Sequence, residues 1–135
     1  MDPPVRIPIV GVVGPCASGK STLIQGLAQM GIPARHIAQE HSYVQTMWKR
    51  ITNPDILIFL DASYEATIAR RNLNWTIDEY LEQQRRLANA RECCNFYLFT
   101  DSMTPAQVLE QVKSFLFQNE YPMKDQIFNA HLGEY

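Results

Sequence analysis

Apolar residues along the chain fall into short blocks of two kinds, and the two kinds alternate. Ile7 to Val13 reads IPIVGVV, a β-branched run bounded by prolines and glycines, which predicts a strand buried on both faces. From Lys20 to Met30 the spacing becomes helical, with Leu23, Ile24 and Leu27 on one face and Gly31 as the C′ residue. Arg35 to Gln39 predicts a short second strand. Ser42 to Ile51 predicts a short helix with Val44, Met47, Trp48 and Ile51 on one side. Asp55 to Leu60, DILIFL, is the clearest central strand and runs into Asp61. Ser63 is placed to cap a helix that contains Ala66, Ile68 and Ala69. Thr76 and Glu79 form a capping box that opens a helix to about Cys94. Its expected buried face is Ile77, Tyr80, Leu81, Leu87 and Ala88, with Arg86 pointing well away. Asn95 to Thr100, NFYLFT, predicts a further strand. Thr104, Pro105 and Gln107 then supply a cap, a first-turn proline and a reciprocal glutamine, ahead of a stripe of Val108, Leu109, Val112, Phe115 and Leu116.

Strand and helix alternating from end to end predict an α/β domain with a small parallel sheet flanked by helices. At 135 residues, 46% hydrophobic and 19% charged, the chain suits one ordinary globular domain. Residues 1–117 carry the pattern. The tail, 118–135, is less regular, with a short helix around Ile127 and Phe128 or contact with a second subunit as its expected uses. Twelve Lys+Arg against fourteen Asp+Glu give a net charge of -2, which argues against nucleic-acid or membrane-surface binding by the whole face. No apolar run approaches the roughly 20 residues of a membrane span, and the N-terminus lacks the basic region of a signal peptide. Cys16, Cys93 and Cys94 lack the spacing of a zinc site or a disulfide framework. A cytoplasmic protein with reduced thiols is the expectation.

One segment carries most of the chemistry. Gly14, Pro15, Cys16, Ala17, Ser18, Gly19, Lys20 and Ser21 fit G-x-x-x-x-G-K-[ST] at every fixed position. Chance would produce those four positions in on the order of one chain in two hundred of this length. Here the motif also follows a buried strand and opens an amphipathic helix, as its mechanism requires. The two glycines permit backbone angles that turn N–H groups inward as an anion nest, and the helix adds its positive end. Lys20 is then expected on the β- and γ-phosphate oxygens, solvent-facing without ligand. The Ser21 hydroxyl is expected on Mg²⁺, and Thr22 near the α-phosphate.

Two acids are candidates for the magnesium site. Asp61 ends the hydrophobic strand ILIFLD in the manner of a Walker B acid, and Glu40 ends a shorter one. Glu40 is preferred, holding a metal-bound water or acting as base toward an acceptor hydroxyl. Arg70, Arg71, Arg85, Arg86 and Arg91 are candidates for the positive charge that phosphoryl transfer needs. His41 is read as structural or as a substrate contact, and Trp48 as a core anchor or a base-stacking wall.

With these residues in view, the chain resembles small P-loop kinases of the nucleoside/nucleotide kinase and shikimate kinase type, over roughly residues 7–117. Glu40, His41 and Ser42 are similar to the Glu-Arg-Ser motif of deoxynucleoside kinases, with His in place of Arg. Pro54 to Ser63, followed by Arg70 and Arg71, is similar to the segment before the lid in thymidylate kinases. Ile77 to Leu87 is similar to the helix after the lid in adenylate kinases, which implies that Arg86 faces the transferred phosphate. The resemblance implies a P-loop NTPase fold in a minimal kinase-like variant, with ATP and Mg²⁺ as cofactors and Lys20, Glu40, Arg86 and Arg70 as catalytic groups. The acceptor would be a small molecule beside Glu40, His41, Tyr43, Trp48 and Lys49. The segment from Gly31 to Asp55 is shorter than the family's, and the lid shrinks to about Asn72 to Trp75. A nucleotide-dependent binding module or weak ATPase, partnered or dimerised through the tail, is therefore the alternative. No Asn-Lys-x-Asp segment is present to read guanine.

Overall fold

Four strands form one all-parallel sheet in the order β2-β1-β3-β4 in the computed structural model, which describes residues 6–71 and 74–122. The strands are β1 (Val10–Val13), β2 (Ala34–His36), β3 (Ile56–Asp61) and β4 (Phe96–Phe99). The helices are α1 (Lys20–Gln29), α2 (Met47–Ile51), α3 (Tyr64–Arg71), α4 (Ile77–Arg86), α5 (Ala88–Cys93) and α6 (Pro105–Gln118). In register, Val10 lies opposite both Ala34 of β2 and Ile56 of β3, and Ile58 lies opposite Phe96. An α/β fold with a small parallel sheet between helices is therefore the architecture.

Strand alternation divides the core in two. Val10, Val12, Ile58 and Leu60 point to one face, where they pack with Leu23 and Leu27 of α1 and Val108, Val112 and Leu116 of α6. Val13, Leu57 and Phe59 point to the other, with Trp48 of α2, Leu87 between α4 and α5, and Ala90 of α5. Each fully buried Leu, Val or Phe stabilises the fold by about 1.5–3 kcal/mol relative to exposure. The α6 stripe falls where the sequence predicts, and the chain stays packed beyond it: Tyr121 is 2% exposed and belongs to the α1/α6 core. Residues 123–135, on which the expected tail helix falls, lie outside the described residues, as do Asn72 and Leu73 of the expected lid. Among the described residues, no helix is long and apolar enough to cross a membrane.

Two helices differ from expectation. The segment expected as one helix from Thr76 to Cys94 is two, α4 and α5, joined at Leu87. Its buried face also differs, because Ile77 and Leu81 are 53% and 44% exposed. The inward stripe is Tyr80, Gln83, Gln84 and Leu87, which keeps the i, i+3, i+4, i+7 spacing but carries two glutamines. The helix expected from Ser42 is shorter, beginning at Met47, and of its expected apolar side Trp48 is buried whereas Val44 and Ile51 are exposed. Trp48 is fixed by an indole N–H donated to Asn89 Oδ1 at 2.9 Å.

Candidate functional site

Everything chemically notable follows the carboxyl ends of the strands. The loop from Gly14 to Gly19 follows β1, Glu40 lies in a 3-10 turn (Gln39–His41) after β2, Asp61 ends β3, and Thr100 follows β4. The chain leaves β1 toward β2 and leaves β3 toward β4, so the strand order reverses between β1 and β3. In parallel α/β sheets such a switch point opens a ligand crevice at the carboxyl ends.

The loop's backbone accounts for its glycines. Gly14 has φ 154°, and a Cβ there would lie 2.0 Å from the Leu60 carbonyl oxygen, so the loop presses directly on β3. Gly19 has φ 105° in a left-handed conformation at the N-terminus of α1, with open space where a Cβ would stand. Ala17 holds a left-handed φ of 62° between them, a conformation uncommon for a residue with a Cβ. Among the described residues, the backbone N–H groups of Ala17, Gly19, Lys20, Ser21 and Thr22 have no protein acceptor. They lie along a cleft of about 560 Å³ that the whole segment from Cys16 to Leu23 lines.

Lys20 is not solvent-facing. Its ammonium donates to the Gly14 carbonyl at 2.6 Å, the Pro15 carbonyl at 3.0 Å and Glu40 Oε2 at 2.7 Å, so all three of its donors are engaged. The Lys20 and Glu40 side chains are 5% and 3% exposed, which makes this a buried ion pair. The sequence expectation treated the unliganded lysine as free. In the fold the loop's own carbonyls and Glu40 hold it. Glu40 Oε1, by contrast, is buried with no hydrogen-bond partner, as is the Ser18 hydroxyl.

The two candidate acids part company here. Asp61 accepts from Gln84 Nε2 and the Ala62 N–H through Oδ1, both at 2.9 Å, and from the Tyr97 hydroxyl at 2.6 Å through Oδ2. Burial, and then the bond to Asp61, pushes the Tyr97 phenol well above its ordinary pKa. Asp61 thus ties β3 to β4 and α4 and does not line the cleft. Glu40 does line it.

The arginines separate as well. Arg70 donates to the Thr100 carbonyl and hydroxyl (2.9 Å to the latter) and to the Ala17 carbonyl at 3.3 Å. Arg86 lies over the Tyr43 ring, 4.2 Å from its centre, and bonds Glu82 and the Glu40 carbonyl, lining a second cleft with His41 and Gln83. Arg70 and Lys20 therefore share the cleft along the Gly14–Gly19 loop, and Arg86 stands outside it. Of the expected acceptor set, Glu40 and His41 line this cleft, whereas Tyr43, Trp48 and Lys49 do not. Ser21 and Thr22 are exposed and line it as well.

Three residues matter that the sequence did not single out. Gln83 reaches from α4 to the loop, accepting from the Cys16 N–H at 3.0 Å and donating to Cys16 Sγ at 3.2 Å. Thr100 links Ser18, Asp61 and Arg70 through its hydroxyl. His36 lines the cleft, and partial burial followed by the nearby Lys20 charge lowers its pKa below 6.5. The sequence signal available for Gln83 was its place in the helical stripe, masked by its polarity. Compared with protein-family models and with curated proteins, the chain matches none.

Proposed function

We propose that the chain is an ATP-binding P-loop protein in which the segment from Gly14 to Thr22 holds the phosphates of Mg·ATP. The observation that carries this reading is the coincidence, in one cleft, of unpartnered loop N–H groups, a lysine ammonium and a buried carboxylate oxygen without a partner. N–H donors at a helix start favour phosphate oxygens. Ser21 Oγ and, through water, Glu40 suit Mg²⁺, a hard cation that prefers oxygen ligands and keeps several waters. Magnesium would neutralise phosphate charge there. Met103, Pro105 and Val108 line the cleft together with Arg70 and offer an apolar end for the base.

The reaction this arrangement serves is transfer of the γ-phosphoryl group to a small acceptor beside Glu40 and His41, in a minimal kinase-like variant of the P-loop NTPase fold. The placement of Arg86 and Trp48 outside the cleft favours the second reading, a nucleotide-dependent module with slow hydrolysis.

Thermal unfolding with and without nucleotide tests the binding. Mg·ATP at a hundred times its Kd stabilises by about 2.7 kcal/mol. ATP without magnesium is expected to do much less, because its phosphates then meet the Glu40 carboxylate. No shift at millimolar Mg·ATP would remove the proposal. A screen of hydroxyl- and phosphate-bearing small molecules for stimulated ADP release separates kinase from module.

A further inference from the structure

At the phosphate loop lies a cluster whose sulfur and imidazole the nucleotide reading gives no metal-binding role. Cys16 Sγ, a Glu40 carboxylate oxygen and a His41 ring nitrogen all lie within 4.8 Å of one another. The closest measured approach, Sγ to His41 Nε2, is 3.9 Å. Zinc–sulfur and zinc–nitrogen bonds of about 2.3 and 2.0–2.1 Å at a tetrahedral angle place those two atoms about 3.6 Å apart. Side-chain rotation within the present backbone closes that difference. Independently, Glu40 Oε1 is buried without a hydrogen-bond partner, while Oε2 is held by Lys20. The free oxygen is therefore available to a cation without breaking the ion pair.

We infer that Cys16, Glu40 and His41 form a binding site for a thiophilic divalent cation, Zn²⁺, at the mouth of the phosphate loop. The donor set of one sulfur, one imidazole and one carboxylate suits zinc and excludes Mg²⁺ and Ca²⁺, which take oxygen ligands. Three protein ligands leave a fourth position for water or an incoming oxygen. Charge balance includes Lys20. Coordination releases the Cys16 thiol proton to solvent; the thiolate and Glu40 then face the metal's two positive charges and the Lys20 ammonium, which leaves one net positive charge for an anion or hydroxide in the fourth position. Gln83 supports the thiolate, because its amide already donates to Cys16 Sγ at 3.2 Å.

The functional consequence rests on the nucleotide reading. Zinc on Glu40 occupies the carboxylate assigned to the magnesium hydration shell, so Zn²⁺ acts as an inhibitor of Mg·ATP binding. The cysteine at the third loop position makes this inhibition specific to thiophilic metals.

The test uses Co²⁺ as a spectroscopic substitute for zinc on the reduced full chain. Stoichiometric Co²⁺ is expected to give a sulfur-to-cobalt charge-transfer band in the near ultraviolet and visible bands of tetrahedral intensity, both erased by Zn²⁺. Cys16→Ser should lose the charge-transfer band, and His41→Ala should weaken Co²⁺ binding about tenfold or more. The Cys93→Ser/Cys94→Ser double variant should keep the full signal, which controls for the other thiols. Absence of a sulfur band in the parent, or its survival in Cys16→Ser, overturns the inference even if Mg·ATP binds normally. Conversely, a cobalt spectrum that depends on Cys16, in a protein that Mg·ATP does not stabilise, keeps the metal site and removes only the nucleotide reading.

Discussion

Replacing Lys20 by methionine should cost far more stability than a ligand-binding lysine normally would. The substitution keeps most of the side-chain volume and deletes one charge. It leaves Glu40, 2% exposed and already short of one partner, as an uncompensated buried carboxylate. Breaking a buried pair from one side typically costs about 3–5 kcal/mol. For a domain of this size that is a fall in Tm of roughly 10–25 °C, out of a total stability of about 5–15 kcal/mol. The complementary variant is Lys20→Met/Glu40→Leu, which removes both charges. Apolar replacement of a whole buried pair is commonly neutral or stabilising by about 1–4 kcal/mol, so the double variant should stand about 3 kcal/mol or more above Lys20→Met. Urea unfolding reads this directly as a shift in midpoint at unchanged slope. Because the pair is buried, the coupling should also survive added salt, unlike that of an exposed pair. A Lys20→Met variant within about 1 kcal/mol of the parent would refute the reasoning. So would a double variant no more stable than the single.

Gly14→Ala should lose about 3 kcal/mol or more, because its Cβ meets the Leu60 carbonyl at 2.0 Å, while Gly19→Ala should lose only the about 1–3 kcal/mol of a strained backbone angle. Equal urea midpoints for the two would contradict the loop geometry. Asp61→Ala should cost about 2–4 kcal/mol by stranding Tyr97, Gln84 and the Ala62 N–H, yet change Mg·ATP affinity less than twofold in a calorimetric titration. His36, whose pKa is lowered from 6.5, holds protons less readily folded than unfolded. Its contribution is therefore present above about pH 6.5 and is lost as pH falls through that value toward the lowered folded one. Unfolding measured across that range should show a small decline that His36→Gln flattens.

The two central strands, β1 and β3, were legible because they are short apolar runs with turn residues on both sides, buried almost throughout, whereas β2, Ala34-Arg35-His36, is a polar and largely exposed edge. The turn from Gly14 to Gly19 was legible because its backbone demands glycine at two places. What escaped was chemistry inside helices. Tyr80, Gln83, Gln84 and Leu87 form a regular inward stripe, but hydropathy marks Ile77 and Leu81 instead. The reason is that α4 packs against polar partners: the Cys16 backbone for Gln83 and the Asp61 carboxylate for Gln84. A helix that faces hydrogen-bonding groups must turn polar residues inward, and periodicity weighted by hydrophobicity then reads the wrong side. Arg86, expected at the transferred phosphate only through the resemblance, lies instead in the second cleft with His41 and Gln83. The Lys20–Glu40 pair lay beyond sequence for a different reason. The two residues are twenty positions apart on separate elements, and only the parallel pairing of β1 with β2 brings them together.

The full engagement of the Lys20 ammonium bears on what the proposed ligand must bring. Lys20 spends all three donors on two loop carbonyls and Glu40, so an isolated polyphosphate gains the lysine only by separating it from a buried carboxylate. That carboxylate would then face the anion in a site of low polarity, where like charges repel strongly. A metal-bound polyphosphate changes the exchange. Lys20 trades Glu40 for a phosphate oxygen, and Glu40 trades Lys20 for the hydrated cation. Each buried charge keeps an opposite charge throughout. On the proposed reading, the same ion pair that holds the unliganded fold together therefore selects a nucleotide carrying its magnesium over one without it. The loop glycines add to this selection. Gly14 lets the turn press directly on β3, where a Cβ would meet the Leu60 carbonyl, and on the proposed reading this close packing favours exchange of partners by side chains.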